Sequence, residues 1–430
     1  MSTPLAPSSR PARQRPLVRL LALFALALAL RAATLALRYT DDLRNFETGD
    51  YILYEVGAQH ILEHGDFSNS LFLPRPPLYP LLVAAVGVER LHVLLADMLA
   101  GALLAPVTYA LARRFQLSAR VATLAGLIVT VDPASVLFSS FLGPEPVANL
   151  LLALALLAGL AALQGRPPRS LWLALTAGGL LAASALVRPA AYLLWLVLGS
   201  AALLADRRRW VVVLVFVASA ALPMGVWVLH NDRVFANPTF STVSGFTMLY
   251  YRAASVEHLA TGREVDDVFM DLTRRVEARL GHDPALADDA TRWGYHAATP
   301  AMTQALNQVS FEVFTAHPWV YLATIPVGLA RMYGLLPDAS QFSGAAAVAE
   351  ILWNTALVVG SAAGLWVAYR RKHWLIFGSV LLVGLYFTGG TLLVKSAGMD
   401  TRERSMLTPL MAISSAYALV MVYSLRSRNS

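Results

Sequence analysis

Residues 50–80 read DYILYEVGAQHILEHGDFSNSLFLPRPPLYP, the first long polar interruption in a very apolar chain. The stretch holds the carboxylates Asp50, Glu55, Glu63 and Asp66, the histidines His60 and His64, an isolated Arg75 and the pair Pro76-Pro77. Its surroundings decide the fold class. The chain has 430 residues, 57% of them hydrophobic and only 14% charged, where an ordinary soluble domain carries about 25% charged residues. The mean hydropathy is +0.56. A charge deficit of that size, spread over many long apolar runs, defines an all-α polytopic membrane protein. The net charge of +7 is carried by short basic clusters between the apolar runs. That is the pattern of cytoplasmic loops, not of a nucleic-acid-binding face. With no cysteine, disulfide and thiolate chemistry are excluded.

Working outward from the stretch, residues 17–37 form a first span. It is flanked by Arg10, Arg13, Arg15 and Arg19, with no clear small-residue cleavage site after it. It therefore reads as an uncleaved span with a cytoplasmic N-terminus, which places residues 41–77 outside. Residues 51–63 carry Ile52, Val56 and Ile61 at helical spacing with Tyr51 and Tyr54, an amphipathic helix lying in the interface. Residues 78–88 are apolar but too short to cross, since a span needs about 17–25 residues.

Further spans are expected at 91–111, 119–138, 146–166, 171–186, 191–205 and 210–229. Each inward crossing ends on arginines: Arg113-Arg114, Arg166 with Arg169, and Arg207-Arg208-Arg209. A long outer segment, 230–317, follows. It contains a Ser/Thr/Gly-rich part at 240–247 and an amphipathic charged region at 265–280. Residues 348–368 end at Arg370-Arg371-Lys372 and must run inward. The apolar stretch 319–336 therefore cannot cross an odd number of times, and is expected to lie at the outer interface or re-enter. Spans 374–393 and 406–425 bring the total to about ten crossings, with both termini cytoplasmic.

The residues equipped for chemistry lie at the outer ends of these spans. Asp50 is either a proton-accepting or orienting carboxylate tuned by the headgroup region, or the N-cap of the helix that follows. Arg75 is either a phosphate ligand or a headgroup-binding arginine. Glu145, at the mouth between two spans, is either functional or a helix N-terminal acid favoured by the dipole. Asp132, before Pro133, reads as a boundary residue. Arg188 is either a site cation or a snorkelling arginine. Arg402 and Arg404 are either anion contacts or a solvated turn, and Lys395 is a fainter version of the same idea. His60 and His64 share a helix face but lack a metal-binding motif. The aromatic run at 246–252 either stacks on a sugar or belongs to the interfacial belt. No P-loop, Gly-x-Gly-x-x-Gly or Gly-x-Ser-x-Gly motif occurs.

Asp50-Tyr51-Ile52-Leu53-Tyr54, then Ala58, Ile61, Gly65-Asp66-Phe67 and Arg75-Pro76-Pro77-Leu78, resembles the first outer loop of the type C glycosyltransferases. The pattern is most similar to that of the aminoarabinose and protein O-mannosyl transferases. The resemblance covers this loop, and the rest of the chain agrees in topology and short fragments. It implies a bundle of about ten transmembrane helices, with interfacial helices in the first outer loop and a small outer-face segment. It further implies transfer of a sugar from a polyprenyl-phosphate donor to a lipid, glycan or protein acceptor at the outer face, by inverting single displacement. Asp50 takes the role of the family's leading acid. Arg75, with Arg188, Arg404 and Arg402, would meet the donor phosphate, and Tyr54, Tyr51 and Asn231 would line the substrate.

The family's second acid is replaced by Tyr51, and Glu145 is the residue placed to supply it. No cofactor is called for. A divalent metal is compatible with the carboxylates but supported by no motif. A transporter or flippase of lipid-linked sugars, or an assembly subunit with a degenerate site, is the alternative. The expected organisation is a cytoplasmic basic tail (1–16), a transmembrane module (17–229) with the catalytic loop at 39–90, an outer-face segment (230–347) and C-terminal helices (348–430). The expected setting is a bacterial inner (plasma) membrane.

Overall fold

The computed structural model describes residues 14–38, 50–336, 344–395 and 401–429, with side chains from 16 to 424. The basic tail, the flanking Arg10 and Arg13, and the terminal Arg426 and Arg428 side chains lie outside what is described. Every regular element among the described residues is helical. In chain order the helices are α1 (Gln14–Arg38), α2 (Tyr51–His64), α3 (Leu78–Ala85), α4 (Arg90–Arg114), α5 (Ala119–Val131), α6 (Pro133–Phe138), α7 (Glu145–Gln164), α8 (Arg169–Val187), α9 (Leu194–Ala205) and α10 (Trp210–Phe235). They continue as α11 (Val243–Thr247), α12 (Ala254–Thr261), α13 (Val265–Leu280), α14 (Asp289–Gly294), α15 (Pro300–Ala316), α16 (Pro318–Met332), α17 (Gly344–Arg370), α18 (Trp374–Val394), α19 (Thr401–Arg404) and α20 (Thr408–Asn429).

Eight of the described helices are long and apolar enough to cross a membrane: α1, α4, α7, α8, α10, α17, α18 and the α19–α20 run. Their outward faces carry large apolar side chains such as Trp172, Leu222, Val226, Leu352 and Leu385, all largely exposed. A soluble bundle would bury such residues, whereas a lipid-facing one presents them. The chain is a multi-pass integral membrane protein. The last helix runs through the middle: 78% of its central stretch is buried, against 22% for α1 and for α18.

Two of the ten expected spans are shorter than the sequence suggested. The apolar run 119–138 breaks at Asp132, which is extended (φ −60°, ψ 118°) because Pro133 excludes the helical conformation from the residue before it. What remains is α5, with 13 residues, or about 20 Å of helix against about 30 Å of hydrocarbon. The run 191–205 begins with a 3₁₀ turn at Pro189–Ala191, leaving α9 with 12 residues. The stretch 319–336 is held mostly in α16, whose 15 residues are too few to span alone. It is bent from α15 by 102°.

The first outer loop also differs from its sequence reading. The buried stripe of α2 is Tyr51, Tyr54, Gly57 and Ala58, at i, i+3, i+6 and i+7. Ile52 is 47% exposed and points away from the bundle. Gly57 lets the helix sit against Phe72, whose ring would lie 3.3 Å from a Cβ placed there. Glu55 holds Arg90 at 2.8 Å, which ties α2 to the start of α4.

The segment 230–317 has its own small core, which includes Phe246, Leu249, Tyr250, Val268, Leu272, Val276, Tyr295, Leu306 and Val309. It is keyed to the first outer loop. Thr242 N–H donates to the Leu73 carbonyl (3.1 Å) and Ser241 Oγ to the Pro74 carbonyl (2.9 Å).

The central helix depends on small residues at its contacts. A Cβ on Gly364 of α17 would come within 2.0 Å of the Ser414 carbonyl oxygen of α20. Gly364→Ala is expected to destabilise the detergent-solubilised protein by about 1–3 kcal/mol, read as a lower unfolding temperature. An unchanged melting curve would show that the two helices are not packed this closely.

Candidate active site

The site is built where the N-terminal ends of α2 and α7, the C-terminal end of α8 and the short helix α19 meet. Asp50 stands at the N-cap position of α2, but its side chain makes no capping bond. Its carboxylate goes to two guanidinium groups instead: Arg75 at 2.9 Å and Arg402 at 3.4 Å. The side chain therefore does not act as the cap of α2. Arg75 lies between the 3₁₀ turn Ser70–Phe72 and Pro77, the N-cap of α3. The two prolines limit the backbone here, the side chain is 7% exposed, and its guanidinium carbon lies 5.8 Å from the centre of the Tyr54 ring.

Glu145 is the first residue of α7 and is only 1% exposed at its side chain. Arg402 Nε donates to it at 2.5 Å. Arg188 pairs with the same oxygen at 3.0 Å. Arg188 ends α8 in an extended conformation because Pro189 follows it. Its other terminal nitrogen reaches Glu403 at 3.7 Å, and Glu403 is held by Lys395 at 2.5 Å. A continuous chain of alternating charge results: Arg75, Asp50, Arg402, Glu145, Arg188, Glu403, Lys395. It brings together Asp50, Arg75, Glu145, Arg188 and Arg402, all singled out in the sequence.

The electrostatics follow from this arrangement. Burial by itself would raise the Asp50 pKa. Arg75 foremost, then Arg402 and Lys395, outweigh it and hold the carboxyl well below the usual range. For Arg75 burial opposes the charge, and Asp50 more than restores it. Tyr54, buried beside them, is pushed up to about 12 and stays protonated.

The other sequence candidates have different surroundings. Arg404 is fully buried and binds Asp132 at 3.1 Å. Asp132 also accepts from Trp353 Nε1 (2.9 Å) and from Ser135 N–H and Oγ (3.0 and 2.7 Å). This pair clamps α19, α6 and α17 together, so the geometry gives Arg404 a scaffolding job and makes Asp132 more than a boundary residue. Asn231 is fully buried and donates to the Thr239 carbonyl at 2.8 Å, which shapes the turn after α10. Tyr51 is buried in the face of α2 that packs on the core. His60 binds Asp66 at 2.8 Å and stacks on His64 at the rim. Among the described residues no cluster of three or more His, Asp or Glu side chains is placed to hold a metal.

The sequence reading passed over two groups. Glu403, between two arginines, links Arg188 to Lys395. Asp97 of α4 accepts from Tyr79 Oη at 2.6 Å and Gly143 N–H at 3.3 Å. It thus fixes α3 and the turn before Glu145. A lone acid inside an apolar run was itself a signal.

No protein-family model and no curated protein matches the sequence. Solved structures do resemble it. The archaeal oligosaccharyltransferase AglB from Archaeoglobus fulgidus, in complex with an inhibitory peptide and a dolichol-phosphate, aligns over 96% of this chain and 51% of that one, with a TM-score of 0.51 and 14% identity. The Archaeoglobus fulgidus oligosaccharyltransferase in the apo form aligns over 95% and 50%, with a TM-score of 0.49 and 13% identity. The chain therefore spans about half the length of these relatives. At this identity the likeness is one of fold, and the fold is that of a type C glycosyltransferase-like membrane bundle.

Two measurements check the electrostatic account. Asp132→Ala leaves Arg404 buried without its carboxylate, and is expected to cost about 3–5 kcal/mol of stability; a wild-type unfolding temperature would refute the clamp. Asp50 has a folded pKa below its ordinary value of about 3.9. Its ion pairs therefore contribute fully above that value and are lost only as pH falls through the folded pKa. The difference in unfolding temperature between wild type and Asp50→Asn should stay constant from about pH 8 to about pH 5 and shrink only below about pH 4. A difference that decays between pH 7 and 5 would mean the carboxylate is raised, not lowered.

Proposed function

We propose that this protein is a glycosyltransferase that moves a sugar from a polyprenyl-phosphate-linked donor to a lipid, glycan or protein acceptor. The observation that carries this reading is the charge inventory of the site. Among the described residues four cations (Arg75, Arg188, Arg402, Lys395) converge with three carboxylates (Asp50, Glu145, Glu403). Arginines gathered at one place offer paired N–H donors to an incoming anion. The fold adds support, since the oligosaccharyltransferase structure of the same fold carries a dolichol-phosphate and a peptide.

The donor phosphate would take Arg75 and Arg402 from Asp50. Released from its partners, the Asp50 carboxylate would accept a hydrogen bond from the acceptor hydroxyl and aim its oxygen at the anomeric carbon. That oxygen bonds to the carbon as the carbon–oxygen bond to phosphate breaks, the electron pair leaves on the phosphate, and the hydroxyl proton passes through the Asp50 carboxylate to solvent. Arg75 and Arg402 stabilise the growing charge, and attack opposite the leaving group inverts the configuration. Glu145, joined to Asp50 through Arg402, serves as the second carboxylate that Tyr51 does not supply.

The helix ends that carry the site are opposite those that carry Arg113-Arg114, Arg169, Arg207–Arg209 and Arg370. The positive-inside rule then favours a site on the outer face, with both chain ends on the cytoplasmic side. In a bacterial inner membrane the site would open to the periplasm.

The test pairs binding with product. Purified protein in nanodiscs is titrated with undecaprenyl phosphate, and envelope glycans and lipids of a strain lacking the chain are compared with its parent by mass spectrometry. Arg75→Ala is expected to weaken binding by roughly 10–100-fold, the value of a hydrogen-bonded charge. Asp50→Asn is expected to bind normally but fail to restore the product. A wild-type protein that ignores undecaprenyl phosphate, or a deletion with unchanged glycans, would defeat the reading.

A further inference from the structure

A cleft of about 500 Å³ lies between α7, α8, α9, α10 and α18 and shares no residue with the candidate active site. Leu156, Leu198, Val213, Phe216, Leu382 and Leu385 form much of its wall. Among the described residues that line it, Ser379 carries the one hydroxyl and none is charged. Small residues make the room: a Cβ placed on Gly378, in the wall, would meet nothing within 4 Å. The volume is that of a ligand site, about 300–1,000 Å³. Water finds almost no hydrogen bonds in so apolar a space, and an unfilled space leaves its walls without contacts.

The cleft reaches the basic ends of the helices. Trp374 is the first residue of α18, Ala205 the last of α9, and Leu163 and Val212 lie in the end turns of α7 and α10; all four line it. The 3₁₀ turn Arg207–Arg209 joins two of these walls. Arg209 Nη1 donates to the Gly165 carbonyl at 2.8 Å, which fixes the turn against the end of α7. The neighbouring Asp206 pairs with Arg209 at 3.7 Å. Arg207 and Arg208 are exposed, and among the described residues neither side chain has a carboxylate partner. At the other end, just past Leu385, Tyr386 Oη donates to the Ala190 carbonyl and accepts from Leu193 N–H, each at 3.0 Å. That contact ties α18 to the start of α9 on the side towards the candidate active site. Trp374 to Leu385 measures about 16 Å along the helix, half of a hydrocarbon core of about 30 Å.

We propose that the cleft holds one acyl chain of an anionic diacyl phospholipid from the leaflet at the basic helix ends, with the phosphate on Arg207 and Arg208. The apolar walls take the chain, and two guanidinium groups without acids take the headgroup. A zwitterionic headgroup brings its own ammonium towards those arginines, so an anionic lipid is preferred. A polyprenyl chain held by its phosphate at Arg75 would have to pass the Tyr386 contact to enter. Such a site is independent of whether the chain transfers sugars. Its mechanical effect falls on α18, whose central stretch is only 22% buried. The residue after α18 is Lys395, which holds Glu403. A chain wedged between α9 and α18 braces the helix that delivers that lysine.

The test uses the purified full chain in detergent, offered equal amounts of phosphatidylglycerol and phosphatidylethanolamine and read by native mass spectrometry and thermal unfolding. A single phosphatidylglycerol is expected to stay bound and to raise the unfolding temperature. Gly378→Leu fills the cleft from its own wall, and is expected to fold as wild type does while losing both the retained lipid and the temperature shift. Arg207→Gln combined with Arg208→Gln is expected to weaken phosphatidylglycerol binding roughly 10–30-fold, about fivefold for each basic residue at an anionic headgroup. If Gly378→Leu fails to fold, wild type decides the matter: phosphatidylglycerol with a photoreactive group in its acyl chain should cross-link to residues 198–205 and 378–385. Equal retention of the two lipids would mark an ordinary lipid shell and overturn the proposal. So would cross-links confined to other segments, or a folded Gly378→Leu that binds phosphatidylglycerol as wild type does. Displacement of the bound lipid by undecaprenyl phosphate would also overturn it, since the cleft would then belong to the donor's tail.

Discussion

One guanidinium holds the two ends of the chain together. Arg402 lies between Asp50 of the first outer loop and Glu145 of α7, reaching one through Nη1 and the other through Nε. Glu145 is almost completely buried at the edge of the bundle. A carboxylate there is tolerated only with a cation beside it. Because Arg402 bridges both acids, the positions of α2, α7 and α19 depend on one another. Arg188 and Lys395 extend the same requirement to α8 and α18 through Glu403.

Around this network the protein spends uncharged contacts to keep the first outer loop rigid. Tyr79 and Asp97 fasten α3 to α4, and the same Asp97 holds the Gly143 turn that delivers Glu145. Tyr54 packs edge-on against Tyr79, with ring centres 4.9 Å apart. The outer-face segment closes against this loop through Thr242 and Ser241. Arg75 and the loop around it are thus held by contacts from three directions.

Much of this was legible in the sequence. Apolar runs separated by arginine clusters gave the bundle, and isolated charges at the outer ends of those runs gave most of the network. What escaped has identifiable causes. Arg402 and Arg404 look equivalent in sequence, yet two residues turn a helix by about 200°, so one faces the network and the other the interior. Sequence spacing cannot say which is which without knowing where Asp132 lies. The span at 119–138 was read from run length, which is blind to where Pro133 cuts a helix, and the run 191–205 loses its start to the 3₁₀ turn Pro189–Ala191. On α2 hydrophobicity grouped Ile52, Val56 and Ile61 with Tyr51 and Tyr54. Close packing kept the two tyrosines, added Gly57 and Ala58, and left Ile52 exposed.

The partners in this network are separated by most of the chain: Arg402 lies 352 positions from Asp50 and 257 from Glu145, and Arg404 lies 272 from Asp132. Synthesis proceeds from the N-terminus, so Asp50 and Glu145 have their nearer partners, Arg75 and Arg188, in the chain long before Arg402 is made. The last helix then joins two ion pairs that are complete without it into one network, and gives Asp132 the guanidinium of Arg404.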